Sequence, residues 1–182
     1  MEEYTVALDF LPQGRPDDHN FRKTPIVLGI GEDEFKLFEL IPRQNIQITV
    51  GEKIYIGANP DLRTKIVSVK RRISEKELTN AALNELPAVL EQIVGQHEER
   101  FLDFFNRAQP INMRMHSLEL LPGLGNKTMW LVLEERKKRP FKSFADLTER
   151  VKALHNPQKM IADRIIQELG DRNEKYKMFV SK

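Results

Sequence analysis

The sequence contains no cysteine and a single tryptophan. The absence of cysteine excludes disulfide bonds, thiolate catalysis and every zinc site that needs a sulfur ligand. No apolar run approaches the roughly 18–20 residues that a membrane-spanning helix needs. The opening Met1-Glu2-Glu3 is acidic and does not resemble a secretory leader. With 40% hydrophobic and 31% charged residues, the simplest interpretation is a globular cytoplasmic protein.

The formal net charge of +2 is unevenly distributed along the 182 residues. Residues 1–72 carry a net charge of 0, residues 73–110 carry −4 and residues 111–182 carry +6. A basic C-terminal third attracts polyanions over roughly 8–10 Å at physiological salt. The alternative is a solvated surface on which basic residues cluster by chance, and charge alone does not decide between the two.

The first 72 residues have the pattern of short β-strands separated by close turns. The predicted strands are Tyr4–Leu11, 25–31, 35–42, 46–50, 54–56 and 65–71. Five or six short strands favour a small closed or half-closed β-barrel. Helical patterns follow, the second of them from Glu98 to Ala108, and predict a helical connector over residues 73–110.

A short apolar segment and a longer amphipathic one flank Pro122-Gly123-Leu124-Gly125, which predicts two helices joined by a tight hairpin. Glycine has no Cβ, so the hairpin backbone can approach a ligand closely. Asn126 can cap the helix predicted at 127–139, and the amides at a helix N-terminus carry partial positive charge. Lys127 is unfavourable beside that charge unless an anion lies there. The pattern therefore predicts a phosphate site at the two glycines, Asn126 and Lys127.

The segment Leu121–Thr128 resembles the helix-hairpin-helix signature, in which Leu-Pro-Gly-Ile-Gly is followed by a polar residue and lysine. The likeness continues through residues 135–151, where the chain resembles bacterial competence DNA-receptor and transcription-accessory proteins. In that family the hairpin amides bind a backbone phosphate without reading the base sequence. By resemblance, this role falls on Gly123, Gly125 and Lys127.

The same resemblance implies that hairpin carbonyls can hold a monovalent cation, K⁺ or Na⁺, although no cofactor is required. The carbonyls concerned would be those of Glu119, Leu121 and Leu124. Families with paired motifs carry a second Gly-x-Gly, but Lys152–Pro157 lacks these glycines. A degenerate second hairpin would complete the fold without binding a phosphate as well.

The chain as a whole is similar to an uncharacterised archaeal family thought to bind nucleic acid. The residues that carry this likeness are 51–57, 104–106, 110–111 and 116–151. Members of the family resemble an OB-like β-barrel joined to an all-α helix-hairpin-helix domain. The resemblance therefore implies an α+β protein with the barrel at 1–72, the connector at 73–110 and the helix-hairpin-helix domain at 111–182.

Several further basic residues are candidates for supporting phosphate contacts, with a solvated surface as the alternative. They are Lys70, Arg71, Arg72, Arg136, Lys137, Lys138, Arg139 and Lys152. Three aromatic residues are predicted to lie in the core rather than to stack on bases. Trp130 is expected on the inward face of its helix, and Phe35 and Tyr55 inside the barrel.

The predicted function is non-catalytic, largely sequence-independent binding of DNA or RNA through backbone phosphates. A first alternative is a protein–protein adaptor in a nucleic-acid machine, which would expose an apolar patch near Leu154 and Met160. A second is a metal-dependent nuclease that uses the loop residues Asp17-Asp18-His19. No phosphate-loop or Gly-x-Ser-x-Gly motif supports an enzyme.

Overall fold

Five antiparallel strands form a curled sheet in the computed structural model, which describes residues 1–17 and 23–181. The strands are β1 (Tyr4–Leu11), β2 (Ile26–Gly31), β3 (Leu37–Pro42), β4 (Lys53–Tyr55) and β5 (Ile66–Ile73). Their order in the sheet is β4-β1-β2-β3-β5, so consecutive strands β1 to β3 are neighbours. Within the described residues, the two edge strands β4 and β5 do not pair with each other, and the barrel is therefore half-closed.

One face of this sheet packs on a core of small and branched apolar side chains. The buried members are Ala7, Val27, Leu40, Ile48, Ile54, Ile56 and Ile66. Branched side chains suit strands because they pack well on a pleated surface. Fully burying one such side chain contributes roughly 1.5–3 kcal/mol, so this cluster is a main source of stability for the sheet.

The strand predicted at residues 46–50 is wrong. The backbone of Ala7 on β1 bonds instead to the turn that follows, donating to the Glu52 carbonyl at 2.9 Å and accepting from Gly51 at 2.8 Å. Strand β1 therefore has no free edge at this point for residues 46–50. The alternation still has meaning, because Ile48 is buried in the core and Val50 is exposed.

Five α-helices follow the sheet in the described chain. They are α1 (Asn80–Gln96), α2 (Glu98–Arg107), α3 (Asn126–Lys138), α4 (Phe144–Arg150) and α5 (Pro157–Gly170). A two-stranded hairpin, β6 (Pro110–Asn112) with β7 (Met115–His116), lies between α2 and α3 in the chain. No helix in the described part of the chain is long and apolar enough to cross a membrane.

The chain divides into two compact units at positions that differ from the three predicted segments. The sheet unit comprises Met1–Val89 and Glu168–Lys182, and the helical unit comprises Leu90–Gln167. The boundaries fall within α1 and within α5, so the predicted connector is shared between the units. The segment from Glu168 onwards belongs with the sheet rather than with the segment predicted as a helix-hairpin-helix domain.

The C-terminal segment is attached to the sheet unit through the carboxylate of Glu168, which is fully buried. Its two oxygens accept hydrogen bonds from the backbone amides of Met178, Phe179 and Val180, at 2.9, 3.0 and 2.9 Å. The Ser181 amide then donates to the Glu34 carbonyl at 3.0 Å. One carboxylate thus satisfies three backbone donors and fixes the path of the segment.

We expect Glu168→Gln to lower the free energy of unfolding by about 2 kcal/mol, because hydrogen bonds to a charged acceptor become hydrogen bonds to a neutral one. The midpoint of urea denaturation measures this. Glu149→Gln, which makes the same chemical change at an exposed position on α4, serves as the control. Equal midpoints for the two variants would contradict the anchoring role of Glu168.

Candidate functional site

The hairpin at residues 121–125 is held in shape by its leucines. Leu121 and Leu124 are buried, and the Leu124 amide donates to the Leu121 carbonyl at 3.1 Å. A 3-10 turn, Ser117–Leu120, leads into the hairpin, and α3 leaves it. The two apolar side chains therefore point into the helical unit, and the segment between and after them is left at the surface.

The two hairpin glycines differ in backbone conformation. Gly123 has a φ of +82°, in the left-handed region that favours glycine. Gly125 has an ordinary extended conformation, with φ −81° and ψ 173°. A Cβ built on Gly125 would meet no atom within 4 Å. The backbone thus requires glycine at position 123, whereas neither a positive φ nor crowding requires it at position 125.

Open backbone amides mark the start of α3. Gly125 is the N-cap, and the first helical hydrogen bond runs from the Met129 amide to the Gly125 carbonyl at 2.9 Å. The amides of Asn126, Lys127 and Thr128 have no acceptor among the described residues. Such amides normally receive a hydrogen bond from a capping side chain, which glycine lacks. Together with the helix dipole they form a surface suited to an anion.

The prediction that Asn126 caps α3 is therefore wrong. Asn126 is the first residue of the helix, one position after the cap, and its side chain is exposed. Lys127 is also exposed and forms no ion pair or side-chain hydrogen bond with any described residue. Both side chains therefore remain available at the predicted phosphate site.

The second hairpin has the same frame but is closed at its helix start. The Leu154 amide donates to the Val151 carbonyl at 3.0 Å, as in the first hairpin. Here, however, the side-chain Oδ1 of Asn156 accepts from the Lys159 amide at 3.0 Å, and Pro157 has no amide hydrogen to offer. The N-terminus of α5 is thus largely satisfied by the protein itself, whereas that of α3 is not.

The residues implied as cation ligands lie at one surface depression together with the hairpin glycines. Its lining includes Glu119, Leu121 and Leu124, with Gly123 and Gly125 beside them. The Leu121 carbonyl already accepts the Leu124 amide. No group of three or more carboxylate or imidazole side chains suited to a metal occurs among residues 1–17 and 23–181. A monovalent cation at the carbonyls remains a prediction.

The basic residues that end α3 differ in how far they are paired. Arg136 donates to the Phe105 carbonyl at 3.1 Å, Lys138 pairs with Glu135, and Arg139 pairs with Asp146 at 3.3 Å. By contrast, Lys137 is exposed and has no partner in the described structure.

Lys152 of the second hairpin is exposed and likewise has no partner among the described residues. Lys137 and Lys152 are therefore the supporting residues on the helical unit whose charges are not paired with a described residue.

On the sheet unit, Glu39 neutralises two of the predicted basic residues. Its buried carboxylate lies 3.0 Å from Arg71 and 3.6 Å from Lys70, and it also pairs with Arg15. Burial works to raise the pKa of Glu39, but the guanidinium groups of Arg71 and Arg15 outweigh it and hold the pKa below its usual value. The Arg72 side chain, in contrast, bonds to the Ser181 carbonyl at 3.2 Å and to no other described residue.

The aromatic predictions have mixed outcomes. Phe35 is fully buried, as expected, and Tyr55 is half-buried against Tyr4, with ring centroids 5.3 Å apart. The core position predicted for Trp130 is wrong, since 57% of this residue is exposed. The inward face of α3 is formed by Met129 and Val132, and Trp130 projects away from that face.

Two features expected from the alternative functions can be located only in part. Leu154 is buried and Met160 is half-buried, so these residues do not form the exposed apolar patch expected of an adaptor. Asp17 is exposed, whereas Asp18 and His19 lie outside the described residues.

Comparison with known proteins places the chain in a class of archaeal proteins defined by this fold. A family model described as "Protein of unknown function (DUF655)" matches residues 1–181, so the chain belongs to this family. An uncharacterized protein of Methanocaldococcus jannaschii is 44% identical over 181 residues, which cover 99% of this chain and 80% of that protein. A crystal structure of a family member from Archaeoglobus fulgidus has 45% identity and a TM-score of 0.92, covering 99% of this chain and all of that one. Membership of an uncharacterised archaeal family is confirmed.

The network around Arg71 predicts an acid-sensitive contribution to stability. The Arg71 guanidinium, 2.6 Å away, and then the amide and hydroxyl of Ser74 hold the pKa of Glu77 at about 2, against a usual 4.5. A lowered pKa stabilises the fold above about pH 4.5, and this contribution is lost as the pH falls towards 2.

We therefore expect the urea midpoint to fall less steeply between pH 4.5 and 2 in Glu77→Gln than in the unmodified protein. Glu75→Gln in the same turn is the control, because Glu75 forms no ion pair within the described chain. The same acid slope in all three proteins would show that the Arg71–Glu77 pair does not contribute.

Proposed function

We propose that this protein binds DNA or RNA without catalysis and largely without sequence preference, through a backbone phosphate at the first hairpin. The observation that carries this proposal is the start of α3, where three amides have no acceptor among the described residues and lie beside the exposed side chain of Lys127. Amides together with a lysine suit a phosphate, and such contacts position a protein on nucleic acid without reading bases.

The contrast between the two hairpins supports a ligand rather than a purely structural turn. Asn156 and Pro157 close the N-terminus of α5 with groups of the chain itself. Gly125 lacks a capping side chain, which relative to glycine would stabilise the helix by only about a few tenths of a kcal/mol. An outside anion that needs close backbone approach accounts for both the missing cap and the glycine.

The sheet unit is the proposed OB-like half of the protein. Its curled five-stranded antiparallel sheet suits that assignment, and a surface on it would contribute further phosphate contacts. The helix-hairpin-helix assignment for the helical unit rests on the two similar hairpins, each followed by a longer helix. A K⁺ or Na⁺ ion at the carbonyls of the first hairpin would add positive charge beside the phosphate.

A titration against labelled single- and double-stranded DNA and RNA at two salt concentrations tests the function. Binding that weakens steeply with salt supports the proposal, since phosphate contacts release counterions. No binding of any of the four ligands at low salt would overturn it, and the hairpin would then be structural. Incubation of the same labelled ligands with Mg²⁺ or Mn²⁺ tests the nuclease alternative, which predicts cleavage.

Lys127→Ala should weaken binding by a similar factor for all sequences and lower the slope of log affinity against log salt by about one, because one phosphate contact is lost. Fluorescence of Trp130, the only tryptophan and exposed one turn further along α3, reports binding close to the site. Lys142→Ala, which removes an exposed lysine of the same unit, is the matched control. Unchanged affinity in folded Lys127→Ala protein would remove Lys127 from the site.

Gly125→Ala should lower the melting temperature only modestly, since its Cβ has open space and its backbone conformation suits alanine, although alanine is a poorer N-cap than glycine. It should nevertheless weaken nucleic-acid binding, because the new methyl group stands where a phosphate would approach the amides. Gly170→Ala, at another glycine whose Cβ would have open space, is the control and should bind normally. Full affinity in Gly125→Ala would contradict close approach at this residue.

A further inference from the structure

Four basic side chains of the sheet unit line one surface depression. They come from the end of β5 and from the segment that follows α5: Arg72, Arg172, Lys175 and Lys177. We call these four residues the tail cluster. Among the described residues, Glu174 is the one carboxylate in the same lining, beside Asn173 and Ser181. The depression therefore carries an excess of positive charge.

The tail cluster is unusual within its own unit because its charges are not neutralised. Most other described basic side chains of the unit pair with carboxylates, namely Arg15, Lys36, Lys53, Lys65, Lys70 and Arg71. No member of the tail cluster forms an ion pair with a described residue. Arg72 bonds to the Ser181 carbonyl, and Lys175 lies over the ring of Tyr176 at 5.2 Å.

The segment that carries the cluster is held in place at both ends. It leaves α5 after Gly170, and the Glu168 carboxylate captures the amides of residues 178–180. Within it, the Asp171 and Glu174 carboxylates accept the amides of Asn173 and Tyr176, at 2.8 and 3.0 Å. The nearby acids thus serve the backbone of the loop, and the cations are fixed close together. Like charges held this way repel one another, and an anionic partner would remove that cost.

We propose that the tail cluster is a second phosphate-binding surface, by which the sheet unit contacts the backbone of the same nucleic acid that the hairpin binds. This inference rests on the proposed function. Every residue lining the depression is polar or charged. Protein interfaces centre on buried apolar and aromatic side chains and are depleted in lysine, so a phosphate backbone fits this surface better than an acidic protein does.

The experiment compares two double variants of the full chain in titrations over a series of salt concentrations. Arg172→Gln with Lys177→Gln removes two charges from the cluster at positions with no described partner. Lys23→Gln with Arg43→Gln removes two charges elsewhere on the same unit that form no ion pair with a described residue, and is the matched control. Melting temperatures confirm that both fold, and Lys127→Ala is titrated alongside.

We expect the salt slope of the cluster variant to fall by about 1.5, since each lost phosphate contact lowers it by about 0.7 to 0.9. The control should change it by less than about 0.5, and Arg172→Gln alone should give about half the effect of the double variant. An unchanged slope in the cluster variant, or equal losses in variant and control, would overturn the inference.

The remaining outcomes separate this inference from the proposed function. Loss of affinity in Lys127→Ala but not in the cluster variant would leave the hairpin site standing and overturn the second surface. Loss in the cluster variant alone would support the second surface and remove Lys127 from the hairpin site. No binding by the unmodified protein would overturn both. Poly-glutamate binding that depends on the cluster, with unchanged nucleic-acid binding, would assign the surface to an acidic protein instead.

Discussion

Backbone amides that fall outside regular hydrogen bonding need an acceptor, and the way this chain supplies one determines much of its structure. Buried carboxylates do so in the sheet unit: Glu2 accepts the amides of Asp33, Glu34 and Lys36, and Glu168 accepts those of three C-terminal residues. Asn156 does so at the second hairpin. An unpaired buried amide would lower the stability of the fold by roughly 1–3 kcal/mol, and these buried acceptors avoid that loss. The start of α3 is different, because its first amides lie at the surface and receive no acceptor from the described residues.

Local patterns in the sequence were enough to locate the elements that depend on neighbouring residues. The hairpin follows from glycines and proline at fixed offsets, and the bounds of α2 follow from helical spacing. Residues 46–50 show the limit of such patterns, because their alternation was real but the partner strand was already bonded to Gly51 and Glu52. Strand pairing depends on competition between distant segments, which a local pattern does not contain.

The site was predictable in position but less so in detail. The cap of α3 was predicted at Asn126, one residue after its position at Gly125. A similar uncertainty about which side of the helix faces inward led to the wrong core prediction for Trp130, which is exposed. Which lysines and arginines form ion pairs or hydrogen bonds within the fold could not be foreseen from the sequence. Arg71 meets Glu39 from 32 positions away, and Arg72 meets Ser181 from 109 positions away. Such pairs arise only when the sheet and the C-terminal segment are brought together.

The sheet unit is built from two segments of the chain, and the residues of the helical unit lie between these segments in the sequence. During synthesis the N-terminus emerges first, and domains generally fold as units. Residues 90–167 leave the ribosome before the segment that Glu168 attaches to the sheet. The helical unit can therefore be complete while the sheet unit still lacks its last segment, and the sheet unit is finished only after residues 168–181 have been made. A messenger cut short after residue 167 would yield an entire helical unit attached to an unfinished sheet.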